Sequence, residues 1–166
     1  MDRFPDHARV VFIGDSITCG GIWIAHIYDY YLRHFPKSDI RMYNAGISGG
    51  STTSALEYYD QGNGENYKPT HAVIMLGMND VWRGLYEIKP EENDIADKQP
   101  AKRMEAIGNY EKRLRALTSL LLERGVKLTF VTPTIYDEST DPRALDKIGC
   151  DAGLEYLGEI NRRVAA

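Results

Sequence analysis

The fold can be worked out from one stretch near the start of the sequence, Val10-Val11-Phe12-Ile13-Gly14-Asp15-Ser16-Ile17-Thr18. Its four apolar residues predict a short strand that is buried on both faces. Gly14 then ends the strand, and Asp15 and Ser16 follow where the chain must turn into a helix. Ser16 is therefore predicted at the carboxyl end of a parallel strand, where open α/β sheets bind their ligands. A serine in this position can also serve only as a helix cap.

The rest of the chain repeats the same order of strand and helix. Apolar runs predict strands at 10–13, 40–44, 71–76 and 126–131, and helical spacing predicts helices at 22–35, 51–59, 101–124 and 153–164. Such alternation is typical of an α/β fold with a parallel sheet, right-handed crossovers and helices on both faces. Three of the four strands end in glycine and polar residues, so we expect these polar clusters to gather at the carboxyl edge of the sheet.

Length and composition favour a single globular domain over residues 1–166. The formal net charge of −4 argues against nucleic acid as a partner. No run of about 18 apolar residues predicts a membrane span, and the N-terminus lacks the apolar region of a secretory signal, so a cytoplasmic protein is expected. The two cysteines, Cys19 and Cys150, give neither a disulfide framework nor metal-ligand spacing, and no cofactor or metal is expected.

The polar residues at the predicted strand ends suit acyl transfer. This chemistry needs a nucleophile, donors directed at the developing oxyanion, and a base that removes the proton of the nucleophile. Ser16 can be the nucleophile, and its own N–H, the N–H of Gly46 and the side-chain amide of Asn79 can be the donors. Glycine lets a ligand approach its backbone closely. Each such donor lowers the barrier by about 2.7–4 kcal/mol.

Three segments resemble the first three sequence blocks of the SGNH hydrolases, the GDSL-type esterases. They are Gly14–Thr18, Asn44–Gly49 and Gly77–Asp80, and they occur in the family's order, each at a predicted strand end. The resemblance implies a flavodoxin-like three-layer sandwich with a central parallel sheet, and ester hydrolysis through an acyl-serine intermediate without a metal. It also implies that Gly46 and Asn79 form the oxyanion hole for esters attacked by Ser16.

The family's last block, an Asp-x-x-His segment that supplies the base and its orienting carboxylate, has no counterpart in this sequence. We therefore expect a truncated chain that lacks a fifth strand, a closing helix and this dyad. The four histidines do not replace the base. His7 and His71 are predicted at the opposite edge of the sheet, and His26 and His34 lie along the first long helix, away from Ser16. Ester hydrolysis by these residues is accordingly expected to be weak or absent.

Four further residues near the predicted oxyanion hole have candidate roles. Asp15 is predicted to hold Ser16 in place, and Asp80 to cap the turn or helix that begins at its own position. A paired-carboxylate acid/base function is the alternative for these two. Trp82 and Tyr86 lie in a long polar connection, residues 81–100, of a kind that usually forms a binding loop. Their rings are predicted either to stack on a sugar or to anchor that loop.

Other functions remain open from the sequence. The stretch Gly46-Ile47-Ser48-Gly49-Gly50 also fits the Gly-x-Ser-x-Gly elbow of α/β-hydrolases, which would make Ser48 the nucleophile. The glycine-rich turns could instead cradle a phosphate in a flavodoxin-like nucleotide-binding module, or the domain could be an inactive SGNH relative used for binding. For an esterase, small-molecule esters are the expected substrates, with acetyl esters of carbohydrates first. An unpaired fourth strand would favour a homo-oligomer.

Overall fold

The centre of the fold is a sheet of four parallel strands in the order β2-β1-β3-β4. The structure, a computed structural model, describes residues 3–87, 99–139, 147 and 149–166. The strands are β1 (Arg9–Gly14), β2 (Arg41–Gly46), β3 (His71–Met75) and β4 (Lys127–Phe130). The register places Gly14 level with Gly46 on one side and with Met75 on the other. The loops that leave these three strands therefore begin side by side.

Helices cover both faces of the sheet. They are α1 (Ser16–Cys19), α2 (Ile22–His34), α3 (Thr52–Asp60), α4 (Gln99–Glu123) and α5 (Cys150–Ala165). Side chains alternate along β1, so that Val10 and Phe12 join the core under α2. Val11 and Ile13 join the core under α3, α4 and α5. This arrangement confirms the predicted α/β fold, with a central parallel sheet between two helical layers.

The main helices and strands lie close to their predicted positions, because apolar runs and helical apolar spacing are strong signals in this chain. The structure adds short elements that such periodicity does not reveal: the single turn α1 and two 3-10 helices, Glu65–Tyr67 and Arg83–Tyr86. The predicted connection over residues 81–100 thus begins with a helical turn, and its residues 88–98 lie outside the described residues. Within the described ranges, no helix is both long and apolar enough to cross a membrane.

A buried polar contact ties the two C-terminal helices to the carboxyl ends of the strands. The hydroxyl of Tyr110 in α4 donates to Asn161 Oδ1 in α5 at 2.5 Å, and it lies 3.2 Å from the Leu76 carbonyl oxygen. Asn161 Nδ2 donates to the Val131 carbonyl at 3.1 Å. Burial, reinforced by the nearby charge of Asp80, raises the pKa of Tyr110, so this hydroxyl keeps its proton. The contact therefore satisfies polar groups that are shielded from water.

Replacing Tyr110 with phenylalanine removes this hydroxyl and leaves Asn161 Oδ1 without its donor. We expect Tyr110→Phe to lower the free energy of unfolding by about 1–3 kcal/mol, the cost of an unsatisfied buried polar group. Urea denaturation followed by circular dichroism measures the change. Tyr156→Phe is the matched control, because Tyr156 is 44% exposed on α5. Equal stability of the two variants would contradict the role given to the Tyr110 hydroxyl.

Candidate active site

Ser16 begins the one-turn helix α1 directly after β1, and its side chain is exposed. The preceding residue, Asp15, is 2% exposed, and its carboxylate accepts a hydrogen bond from the Ile17 N–H at 2.9 Å. Burial raises the pKa of Asp15, while this hydrogen bond and the positive charge of Arg83 oppose the effect. Asp15 thus fixes the turn that carries Ser16, which is the geometry its predicted supporting role requires.

Two glycines allow this turn to pack closely against the ends of the strands. A Cβ on Gly14 would lie 2.0 Å from Thr18 Oγ1 and 2.8 Å from the Met75 carbonyl oxygen. A Cβ on Gly46 would lie 2.2 Å from the backbone nitrogen of Cys19. None of these distances is compatible with a side chain. The glycines of the first two sequence blocks therefore let α1 pack against the ends of β1 and β2, and this explains why the chain needs glycine at both positions.

The backbone N–H of Gly46, predicted as an oxyanion donor, is already engaged. It donates to Asn44 Oδ1 at 2.9 Å, and Asn44 Nδ2 in turn donates to the Thr18 carbonyl at 2.9 Å. Asparagine side chains often accept from the N–H two residues later, so the pattern Asn-Ala-Gly itself contains the signal for this bond. In this geometry Gly46 has a packing role, and its N–H does not face a ligand.

The next amides of the same turn include two that are free to donate. Ile47 N–H donates to the Gly14 carbonyl at 3.0 Å, which joins the turn to the end of β1. Among the described residues, the N–H groups of Ser48 and Gly49 have no acceptor. Both residues are exposed, and Gly49 has a φ of +74°, a conformation that favours glycine. Within the described residues, the free N–H groups of this turn are therefore those of Ser48 and Gly49, whereas the N–H of Gly46 is bonded to Asn44.

Asn79 lies in the loop after β3 with part of its amide available. Its Nδ2 donates one hydrogen bond to the Gly50 carbonyl at 2.8 Å. A primary amide carries two donor hydrogens, so the second remains for a ligand. The bond to Gly50 also connects the loop after β3 to the turn after β2. Asn79 is half-buried and borders two surface cavities, of about 270 Å³ and 660 Å³.

Asp80 caps α3, the helix that follows a neighbouring loop. The sequence instead predicted that Asp80 caps the turn or helix that begins at its own position. Its Oδ1 accepts from both the backbone N–H and the hydroxyl of Thr52, the first residue of α3. Its Oδ2 is buried and has no hydrogen-bond partner in the described part of the chain. Burial raises the pKa of Asp80, against the effects of Thr52 and of the charge of Arg113. The residue thus joins the third block to the first turn of α3.

Trp82 and Tyr86 have different surroundings. Tyr86 is 5% exposed, and its ring packs in the core with the guanidinium of Arg103 4.1 Å from its centre. The ring therefore anchors the loop and is not available to stack on a sugar, which corrects the substrate-binding alternative for this residue. Trp82 is 61% exposed and borders the same two cavities as Asn79. Only Trp82 of the pair can contact a ligand at this site.

None of the four histidines contacts Ser16. His71 begins β3, and its Nδ1 lies 2.9 Å from the Thr70 hydroxyl at the far edge of the sheet. His7 precedes β1, and His26 and His34 are exposed along α2. In the ranges that the structure describes, no side chain forms a hydrogen bond with the Ser16 hydroxyl, and no group of three acidic, histidine or cysteine side chains is placed to hold a metal ion. The described residues therefore place an exposed hydroxyl and free N–H groups at this edge of the sheet, but no histidine beside Ser16.

The close approach at Gly46 gives a test of the packing around Ser16. We expect Gly46→Ala to destabilise the protein by about 1–3 kcal/mol, because the added methyl group must displace α1 from β2. Gly108→Ala is the matched control, since nothing lies within 4 Å of a Cβ at Gly108 in α4. That control should gain about 0.5–1 kcal/mol from the helix preference of alanine. Thermal unfolding of both variants measures these changes in stability. A Gly46→Ala protein as stable as the wild type would contradict the packing described.

Asp80→Asn tests the electrostatics of the buried carboxyl. Because the pKa of Asp80 is raised on folding, the folded protein binds its proton more tightly than the unfolded chain does. The stability that this proton contributes is present below the ordinary pKa of 3.8 and is lost as the pH rises through the raised value. The stability of the wild type relative to Asp80→Asn should therefore be highest at low pH and fall as the pH rises above 3.8. Denaturation of both proteins across this range measures the difference, and a relative gain by the wild type would show the opposite shift.

Known proteins match this chain in sequence. The model of the GDSL-like lipase/acylhydrolase family matches residues 12–166. An acetylxylan esterase from Geobacillus stearothermophilus is 31% identical over 90 residues, which are 45% of this chain and 41% of that relative. The chain thus aligns with less than half the length of this curated relative.

Solved structures have the same fold. A mutant of an acetylxylan esterase from Geobacillus stearothermophilus matches with a TM-score of 0.72 and 21% identity over 99% of this chain and 74% of that one. An α/β hydrolase from the metagenome of Lake Arreo, Spain, matches with a TM-score of 0.71 and 24% identity over 98% and 74%. The structures described as catalytic mutants of the esterase replace a serine, an aspartate and a histidine. With its three sequence blocks at adjacent strand ends and a family match over residues 12–166, the chain belongs to the GDSL-like lipase/acylhydrolase family.

Proposed function

We propose that the chain hydrolyses esters of small acyl groups, acetyl esters first, through an acyl intermediate on Ser16. The observation that carries this proposal is the pairing of Gly14 in β1 with Met75 in β3. Because these residues lie at the same level of the sheet, the loops that contain Ser16 and Asn79 leave it next to each other. Acyl transfer needs a hydroxyl nucleophile and a hydrogen-bond donor for the oxyanion, and these neighbouring loops carry an exposed hydroxyl and an amide with a free hydrogen. Membership of an acylhydrolase family supports the same reaction.

In the proposed reaction, Ser16 Oγ attacks the ester carbonyl carbon and the carbonyl oxygen becomes an oxyanion. The second amide hydrogen of Asn79 and the free N–H groups of Ser48 and Gly49 donate to this oxygen. The carbon–oxygen bond to the alcohol then breaks, and the alcohol leaves with the proton that Ser16 lost. Water hydrolyses the acyl-serine, which releases the acid and restores the hydroxyl.

The substrate class is proposed from two observations. The relative aligned over 90 residues is an acetylxylan esterase, which acts on an acetylated carbohydrate. Trp82 is an exposed aromatic ring next to Asn79, and such a ring presents an apolar surface on which a sugar can stack. We therefore propose acetyl esters of carbohydrates as the substrates of this site, with Trp82 in contact with the sugar.

Hydrolysis of p-nitrophenyl acetate tests the role of Ser16. Because no histidine contacts Ser16, we expect slow turnover that Ser16→Ala abolishes. Imidazole cleaves this ester without protein, so the rate in imidazole buffer alone is subtracted from every measurement. The remaining rate should rise with imidazole, acting as an external base, only where Ser16 is present. Ser119→Ala, an exposed serine on α4, is the matched control and should retain the rate.

Asn79→Ala should reduce the Ser16-dependent rate by about 10²–10³-fold. A rate that Ser48→Ala abolishes and Ser16→Ala does not would instead identify Ser48 as the nucleophile.

The absence of a histidine beside Ser16 in the described residues favours one alternative, an inactive SGNH domain that binds its ligand without turnover. This alternative and the proposed reaction predict different results in the same assay. If imidazole raises the rates of the wild type and of Ser16→Ala equally, Ser16 does not react and the binding-only function stands. If the increase depends on Ser16, the hydroxyl is a competent nucleophile and the proposal stands.

A further inference from the structure

Trp82 is held at the surface in a fixed and strained backbone conformation. Its φ of +54° and ψ of +70° lie in the left-handed region, which costs a non-glycine residue about 1–3 kcal/mol. The residues on either side keep it there: Val81 and Leu85 are buried, Val81 N–H donates to the Gly77 carbonyl at 2.9 Å, and Leu85 N–H donates to the Trp82 carbonyl at 2.8 Å. The chain thus exposes a large ring on a rigid turn, and such strain is typical of ligand-contacting positions.

The ring of Trp82 borders the two cavities that meet at Asn79. One, of about 270 Å³, extends towards α4 and is lined by Asn109 and Arg113. The other, of about 660 Å³, is lined by Arg83, by Tyr136 and by Glu87 and Lys147, whose side chains pair with each other at 3.5 Å. A ligand whose ester carbonyl lies at Asn79 therefore passes Trp82 and meets a different set of side chains in each direction.

Arg83 is an unmatched cation in the larger of these cavities. Its side chain is exposed, and in the described part of the chain its guanidinium has neither an ion pair nor a hydrogen bond. Other exposed arginines, such as Arg33 and Arg115, form ion pairs with carboxylates on their own helices. The charge of Arg83 nevertheless acts on the carboxyl of Asp15, the residue before Ser16. A chain with a net charge of −4 thus places near its candidate nucleophile a guanidinium that no described side chain neutralises.

We propose that Arg83 binds a carboxylate on the substrate, so that the site prefers acetylated saccharides that carry an acidic sugar. Trp82 stacks on a sugar ring, and the planar guanidinium of Arg83 donates two parallel hydrogen bonds to the two oxygens of the carboxylate. This inference rests on the proposed function, because it assigns a substrate class to the same site. A neutral saccharide would contact Trp82 but would leave Arg83 with water.

The test is a comparison of binding by two oligosaccharides that differ in one group. The first is an acetylated xylo-oligosaccharide with a glucuronic acid branch, and the second is the same molecule with that carboxyl reduced to an alcohol. Quenching of tryptophan fluorescence measures the dissociation constants, because the other tryptophan, Trp23, packs against Phe12 under α2. The Trp82→Phe variant checks that the signal comes from Trp82. Binding requires no turnover, so the absence of a base does not affect the measurement.

We expect the wild type to bind the acidic oligosaccharide about tenfold more tightly than the neutral one, as a charged hydrogen-bonded pair allows. Arg83→Ala should remove this preference, and its dissociation constant for the neutral oligosaccharide should stay within about twofold of the wild-type value. Arg83→Lys keeps the charge but lacks the planar guanidinium, so it should retain part of the preference. Raising the salt concentration should reduce the preference. Arg33→Ala, the control at an exposed arginine on α2, should behave as the wild type does.

Three results would overturn the inference: equal binding of the two oligosaccharides by the wild type, a preference that survives Arg83→Ala, or an equal loss of both ligands in that variant. An equal loss would assign Arg83 to the structure of the turn. Hydrolysis of p-nitrophenyl acetate, which has neither sugar nor carboxylate, separates the two proposals. A Ser16-dependent rate without an acidic preference rejects only the role of Arg83, whereas a rate independent of Ser16 rejects the proposed reaction itself.

Discussion

Close contact between backbones at the carboxyl edge of the sheet is the constraint on which the rest of the site depends. Gly14 and Gly46 end adjacent strands at the same level, and α1 packs directly over both. No side chain fits between them, so the position of Ser16 is fixed by main-chain atoms. Main-chain packing of this kind has few alternative arrangements. Ser16 is thus held by the fold and needs little support from its own side-chain contacts.

The loops around Ser16 satisfy one another's polar groups and so form one unit. Asn79 donates to the carbonyl of Gly50, and Asp80 accepts from Thr52 at the start of α3. These bonds cross from the loop after β3 to the turn after β2, and they leave only selected N–H groups free. A donor that is fixed before the substrate arrives stabilises an oxyanion at little cost in reorganisation. The same bonds that stabilise the loops therefore decide which donors are left for chemistry.

The strands and long helices could be predicted from the sequence because burial repeats along them. The apolar run from Val10 to Ile13 and the apolar stripe of α4 show which faces of these elements are buried, and this signal does not depend on the rest of the chain. Which N–H groups stay free in the turn after β2 could be predicted only in part. The Asn-Ala-Gly pattern signals the bond from the Gly46 N–H to Asn44, whereas the bond from the Gly50 N–H to the Ile47 carbonyl is seen only in the structure. Tyr86 and Trp82 likewise look similar, and their difference arises from tertiary packing against Gly153 and Arg103.

The central position of β1 in the sheet also has a consequence for the order in which the molecule assembles. β1, α1, α2 and β2 are contiguous in the chain, whereas the pairing of β1 with β3 joins Val10 to His71 across α3. Closing a longer loop costs more chain entropy, and pairing between distant segments slows folding. The sheet therefore has a local starting unit that already contains Ser16. Asn79 joins it only when β3 docks, so the site is completed by the later and more distant of the two strand pairings.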